Sequence, residues 1–442
     1  MKKLVSILVL LCFTLSLVLS GCGTSADQSA EQDTKTTEQK TEAAKTEPTK
    51  TAEAVTVTFL SWANETQAKP LIDGFTAKNP NIKIDFSFAP PVKEYIEKLR
   101  TMIASDAAPD IFQMALENRE DLIKGNYCED LSAESYMKDG TIPDTAKNTY
   151  GSDGKVYSVA VDAWAGGLFY NKKMFAKAGI TSEPQTWQEF LDDCKKLKDA
   201  GMKPIIDNCQ EMAANVLPAL FAAQTLQKNP KFHEEVYAGT KKLSDGWTEP
   251  MKLWYEGLVK PGYITKDMLG IQDDQEIKEF ATEKYAMMPG GPWRISQFKE
   301  INPDIDIKLM GIPGTDRGNI WYDGAVGVGF CVSSKSKVKD AAKKYLEFLT
   351  NSEGLTAYQK GYGGTIIAKG FTNQVDPIMA DGVNNGLMVN KFFIPMGEWT
   401  SYTEALRSQY VTSLQDLVVG KITTAEDFGK SLDKKFEEMK KN

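Results

Sequence analysis

The chain has 442 residues, a formal charge of −8 at neutral pH and 10% aromatic residues, including eight tryptophans. A net acidic chain without a basic run is a poor nucleic-acid binder. One histidine, His233, and the scattered cysteines Cys128, Cys194, Cys209 and Cys331 match no zinc spacing, which argues against a transition-metal site.

In chain order, Lys2 and Lys3 precede an almost wholly apolar run from Leu4 to Leu19, and Leu19-Ser20-Gly21-Cys22 closes it. This reads as a secretory signal over 1–21. The tetrapeptide resembles a bacterial lipobox, implying cleavage before Cys22, a lipid on its sulfur and a place on the extracytoplasmic face of a membrane, as in Gram-positive bacteria. Loss of Lys2 and Lys3 takes the formal charge from −8 to −10. Residues 24–53 lack aromatic and large aliphatic side chains, so 22–53 is expected to be a lipidated cysteine followed by a disordered tether. Such a tether reaches roughly 30 Å on average.

Residues 54–442 are too many for one ordinary core, so two lobes are expected. Val55, Val57 and Phe59 alternate with Thr56 and Thr58 as a strand does. A helical face of Leu71, Ile72 and Phe75 stops at Asn79-Pro80-Asn81, and alternation resumes at Ile82, Ile84, Phe86 and Phe88. The unit should be a parallel strand–helix–strand. Tyr95, Ile96, Leu99, Met102 and Ile103 form another helical face before a short buried strand at Asp110–Met114. Thr186-Trp187-Gln188-Glu189 has the form of a capping box opening a helix with Phe190, Leu191, Cys194 and Leu197 inward. Strand-like runs return at Tyr285–Met288, Ile305–Leu309 and Val326–Val332. The alternation predicts α/β lobes whose ligand sits at the carboxyl ends of the strands.

Several segments in order resemble the extracellular solute-binding proteins of carbohydrate importers, the group that includes maltose-binding protein. They are Phe75–Ile82, Ala108–Phe112, Asp153–Tyr157 with Gly167–Phe175, Phe280–Trp293, residues 324–349 and the Gly363-Gly364 turn. The resemblance implies a two-lobed periplasmic-binding-protein-like α/β fold with a ligand cleft between lobes. It places one lobe at 54–161 plus 284–323 and the other at 162–283 plus 324–442. It further implies a non-enzymatic, monomeric protein that captures a sugar, of oligosaccharide size, by lobe closure and hands it to the permease subunits of an ABC importer. No cofactor or metal is expected. A surface-anchored glycoside hydrolase or a ligand-sensing partner of a membrane receptor are the alternatives; no Gly-x-Ser-x-Gly or His-Glu-x-x-His motif occurs.

A sugar offers C–H faces and a hydroxyl rim, so its site needs flat aromatic rings beside charged or amide groups. Trp293 follows a strand through Pro289-Gly290-Gly291-Pro292 and is expected in the cleft. In the family pattern it matches a sugar-stacking residue, as does Trp399. Asp162 and Trp164 fall where the chain crosses between lobes, and Glu117 aligns with a family acid. Asn118 departs from the arginine that maltose-binding protein has there. Trp62, Asn64 and Glu65 follow the first strand; Asp207 and Asn208 follow Ile205-Ile206; Tyr322 and Asp323 precede the Gly324 crossing. Trp187 and Trp254 read as core, His233 as a solvated surface residue, and Trp247 and Trp321 have no evident place.

Overall fold

The computed structural model describes residues 54–89, 92–211, 215–399 and 401–441. The signal, Cys22 and the tether lie outside the described residues, among which no helix is long and apolar enough to cross a membrane.

The first sheet has four strands in the order Gly329–Val332, Ile111–Met114, Val55–Ser61, Ile82–Phe88. The last three run parallel, as the strand–helix–strand reading requires, and the first is antiparallel. Val57 and Phe59 face inward with no exposure, against Phe75 of the helix Glu65–Lys78 and Tyr345 of the helix Lys339–Thr350. Burial of these rings is the main stabilising term of this lobe.

The second sheet is built on the long strand Asp162–Asn171. It pairs with Ile320–Val326, Tyr285–Gly290, Ile307–Met310 and, at its start, Thr365–Ile366. Around it lies a separate core that includes Trp187, Trp247, Trp254 and Phe221. Trp187 and Trp254 are buried there as expected. At the helix Trp187–Asp199, Thr186 Oγ1 accepts from the amide of Glu189, but the Glu189 carboxylate accepts from the Gln185 amide, one residue beyond the cap, so the capping box is not closed.

The two cores correct the expected division of the chain. Residues 284–323 pack in the second core, because Tyr285–Gly290 is paired on both sides by second-lobe strands. Residues 326–368 pack in the first, because Gly329–Val332 completes its sheet. The C-terminal helices Thr403–Val418 and Ala425–Met439 return to the second core. The chain therefore crosses between lobes near 161–163, 326–328 and 366–375, where the expected division had put crossings at 161/162, 283/284 and 323/324.

All three crossings meet at Asp162. Its carbonyl accepts from the Gly327 amide at 2.8 Å, its strand pairs with Ile366, and its Oδ1 accepts from Tyr358 Oη at 2.9 Å. A Cβ added at Gly327 or at Gly364 would lie 2.1 Å from a carboxylate oxygen of Asp162, so both positions need glycine. Tyr150 fixes the second crossing by donating to the Gly327 carbonyl.

His233 is 4% exposed among Phe221, Phe232 and Phe393, not on the surface. The polar residues around it in sequence suggested solvent, but the face it shares with Phe232 is the one the core takes. Burial pulls its pKa down to about 3, so it is neutral. The four described cysteines are free and buried.

Candidate functional site

The turn after Tyr285–Gly290 carries Trp293, whose ring is 44% exposed. It stands edge-to-face against Trp164, with centroids 5.1 Å apart and planes at 76°. Such a pair holds two apolar faces at a fixed angle. Gly291 makes this possible, since a Cβ there would fall 2.2 Å from the Trp293 ring. Beside it, Arg294 is buried and grips Asp273 with both terminal nitrogens, one of them at 2.6 Å.

A charged cluster lies across the lobes. Glu117, from the first lobe, has its carboxyl pushed above the ordinary range by burial, with repulsion from Glu404 and Glu211 adding and Arg407 opposing. Arg407 lies 3.2 Å from Glu404 and 4.0 Å from Glu211, both of the second-lobe side. Glu211 is solvent-exposed, yet surrounding protein still pushes its carboxyl up, and Asp273 and Arg294 are within its electrostatic reach. The cluster thus runs through Arg294 to the neighbouring Trp293.

Other expected contacts are placed elsewhere. Trp399 has no exposure and packs in the second core, so it offers no stacking face. Tyr322 and Asp323 are 3% and 0% exposed on the strand Ile320–Val326. Asp207 and Asn208 are buried in a network of their own. Asp207 accepts from the Cys209 amide and from Asn215 Nδ2, while the Asn208 amide donates to Glu276 Oε1 at 2.8 Å. Burial raises Asp207 to about 6 and Glu276, with Asp207 repelling it, to about 8. Asn64 is exposed but engaged as the cap of Glu65–Lys78, and Glu65 is exposed in that helix's first turn. Asp162 is 8% exposed and raised to about 7 by burial, a hinge group rather than an open rim acid. Trp62 is half-buried edge-on to Tyr95 at 5.2 Å.

Sequence reasoning missed Arg407, Glu404 and Glu211. Each is an ordinary helix or loop charge until folding brings it to Glu117, and no local pattern marks it. A second interlobe groove, of about 650 Å³, runs along Gly324–Val326 and is lined by Leu116, Asn148 and Thr149 on one side and Trp321, Phe392 and Gln227 on the other. Trp321 Nε1 donates to Asn319 Oδ1 at 3.1 Å there. Among the described residues no group of three His, Cys, Asp or Glu side chains could hold a metal ion.

Two α/β lobes joined by three crossings have the architecture of a two-lobed solute-binding protein. The family model for bacterial extracellular solute-binding proteins matches residues 70–383. The chain belongs to that family, whose members act outside the cytoplasm as binding proteins.

It is 24% identical to the multiple sugar-binding protein of Streptococcus mutans over 327 residues, covering 72% of this chain and 76% of that one. A family 1 extracellular solute-binding protein from Bifidobacterium longum subsp. infantis superposes with a TM-score of 0.78 at 28% identity, over 88% of this chain and all of that one (100%). The solute-binding protein RafE, solved in complex with raffinose, gives 0.69 at 23% identity, over 87% of this chain and 100% of its own.

Proposed function

We propose that the protein captures a sugar of oligosaccharide size in the interlobe cleft and delivers it to the permease subunits of an ABC importer, as a monomer held to the membrane by lipid on Cys22. One observation carries the reading. Trp293 and Trp164 present two ring faces beside charged groups drawn from both lobes, with Trp293 44% exposed. Rings take the C–H faces of a sugar; Glu117, Glu211, Glu404 and Arg407 take hydroxyls. The sugar-binding relatives support it. Closure follows from the same arrangement, because a ligand that touches both lobes binds the closed form better than the open one.

A second reading seats the sugar in the groove beside Trp321, which has the room. Thermal shift against a panel of neutral oligosaccharides, raffinose included, tests the class, since a ligand at 100 times its dissociation constant stabilises by about 2.7 kcal/mol. Titration of Trp293→Ala and Trp321→Ala then separates the sites. We expect Trp293→Ala to weaken binding roughly 5- to 150-fold, with Trp321→Ala close to wild type. The reverse pattern would move the site to the groove.

A further inference from the structure

Two residues beyond Glu117, a second set of bonds joins the lobes away from Trp293, at the edge of the groove lined by Thr149 and Gly397. Arg119 is 4% exposed. Its Nη1 donates to the Thr149 carbonyl at 2.7 Å and to the Gly397 carbonyl at 3.1 Å, and its Nη2 donates to the Trp399 carbonyl at 3.1 Å. Thr149 adjoins the first core through Tyr150, whereas Gly397 and Trp399 belong to the short helix Pro395–Glu398 and its C-cap, anchored in the second by Met396 and the Trp399 ring. The next residue, Glu120, accepts through Oε2 from the Tyr402 amide at 2.9 Å. Tyr402 holds a left-handed φ of 64° at the start of the helix Thr403–Val418, the helix that carries Glu404 and Arg407.

A buried guanidinium must have its N–H groups satisfied, and here three backbone carbonyls do it. No carboxylate lies within 4.0 Å of Arg119 among the described residues; Glu398 and Glu120 act on it from farther away. Separating the lobes would strip Arg119 of two of its three acceptors and leave Glu120 with Lys124 alone in place of Lys124 and the Tyr402 amide.

We propose that Arg119, with Glu120, is a positioning residue that latches Gly397, Trp399 and Tyr402 of the second lobe onto the first. It thereby holds Glu404 and Arg407 against Glu117 before any ligand arrives. The inference rests on the cleft reading for its consequence in binding, but not for the latch itself.

Small-angle scattering of the sugar-free full-length mature chain tests the latch directly. Arg119→Met should enlarge the radius of gyration, and Arg119→Lys, which keeps the charge and one donor direction, should recover part of the change. Glu120→Ala removes the neighbouring bond, together with the surface ion pair to Lys124, and should shift scattering in the same direction by less. Circular dichroism of each variant establishes that it is folded; should Arg119→Met fail to fold, Arg119→Lys and Glu120→Ala carry the test. Raffinose is the binding probe, and its affinity should fall on the order of 10-fold in Arg119→Met. Sugar-free curves of the folded variants that superimpose on wild type would overturn the latch. Failure of wild type to bind any neutral oligosaccharide would count against the sugar reading alone.

Discussion

Trp293 and Trp399 each stand two residues after a glycine, yet one ring is 44% exposed and the other not at all. The difference lies in what precedes them. Trp293 leaves the end of a strand through a turn whose Gly291 lets the ring fold back over the backbone into open space. Trp399 caps the short helix Pro395–Glu398, and its ring is buried in the second core, with Thr403 of the next helix donating to its carbonyl. A turn frees a side chain only when the following element leaves one side uncovered.

The contrast can be broken most forcefully at the buried ring. Trp399→Ala should cost about 3–5 kcal/mol of stability, read by denaturant unfolding, because it empties a packed core site. Trp293→Ala should change stability by less than about 0.5 kcal/mol while carrying the loss of affinity set out above. Equal destabilisation by the two would erase the distinction between core ring and cleft ring.

The carboxylates sharpen the same comparison. Glu117 faces other charges across the lobes, whereas Glu276 is sealed with Asp207 inside the second lobe. With a folded pKa of about 8 against an ordinary 4.5, Glu276 binds a proton more tightly folded than unfolded. Its contribution is fully present below the unfolded value and is lost as pH rises through the folded one. Wild type should lose stability between pH 5 and about 8, and Glu276→Gln, which keeps an acceptor for the Asn208 amide, should flatten that loss by up to about 2 kcal/mol. Parallel curves for the two proteins would refute the assignment. The smallest effect is expected at Trp187→Phe, where raffinose affinity should stay within about twofold of wild type because that ring touches only core.

Much of this architecture was legible in the sequence, because alternation and helical spacing are local. The strands at 55, 82 and 111, the buried face of Trp187–Asp199 and the exposed Trp293 all follow from a few neighbouring residues. What was illegible depended on distant pairing. No local pattern says that 329–332 joins the strand at 111 while 285–290 joins the strand at 162, so two segments were exchanged between lobes. Tyr322, Asp323, Asp207 and Asn208 carry the right chemistry for a sugar rim, but neighbours far along the chain enclose them. Arg407 and Arg119 were passed over for the same reason in reverse: groups they meet, Glu211 and the Trp399 carbonyl, lie far along the chain.

The triple crossing also sets the order in which the protein can be completed. The first lobe begins at Val55, but its edge strand Gly329–Val332 and the helix Lys339–Thr350 are made only after the whole insertion from 163 to 325. During synthesis the strand Ile111–Met114 must wait with one edge unpaired through more than 200 intervening residues, open to wrong partners. The second lobe waits in turn for its closing helix, Ala425–Met439. Neither half can mature ahead of the other, so the chain is expected to reach its native state late and at once, with a slow, long-range step that truncation before residue 425 would block.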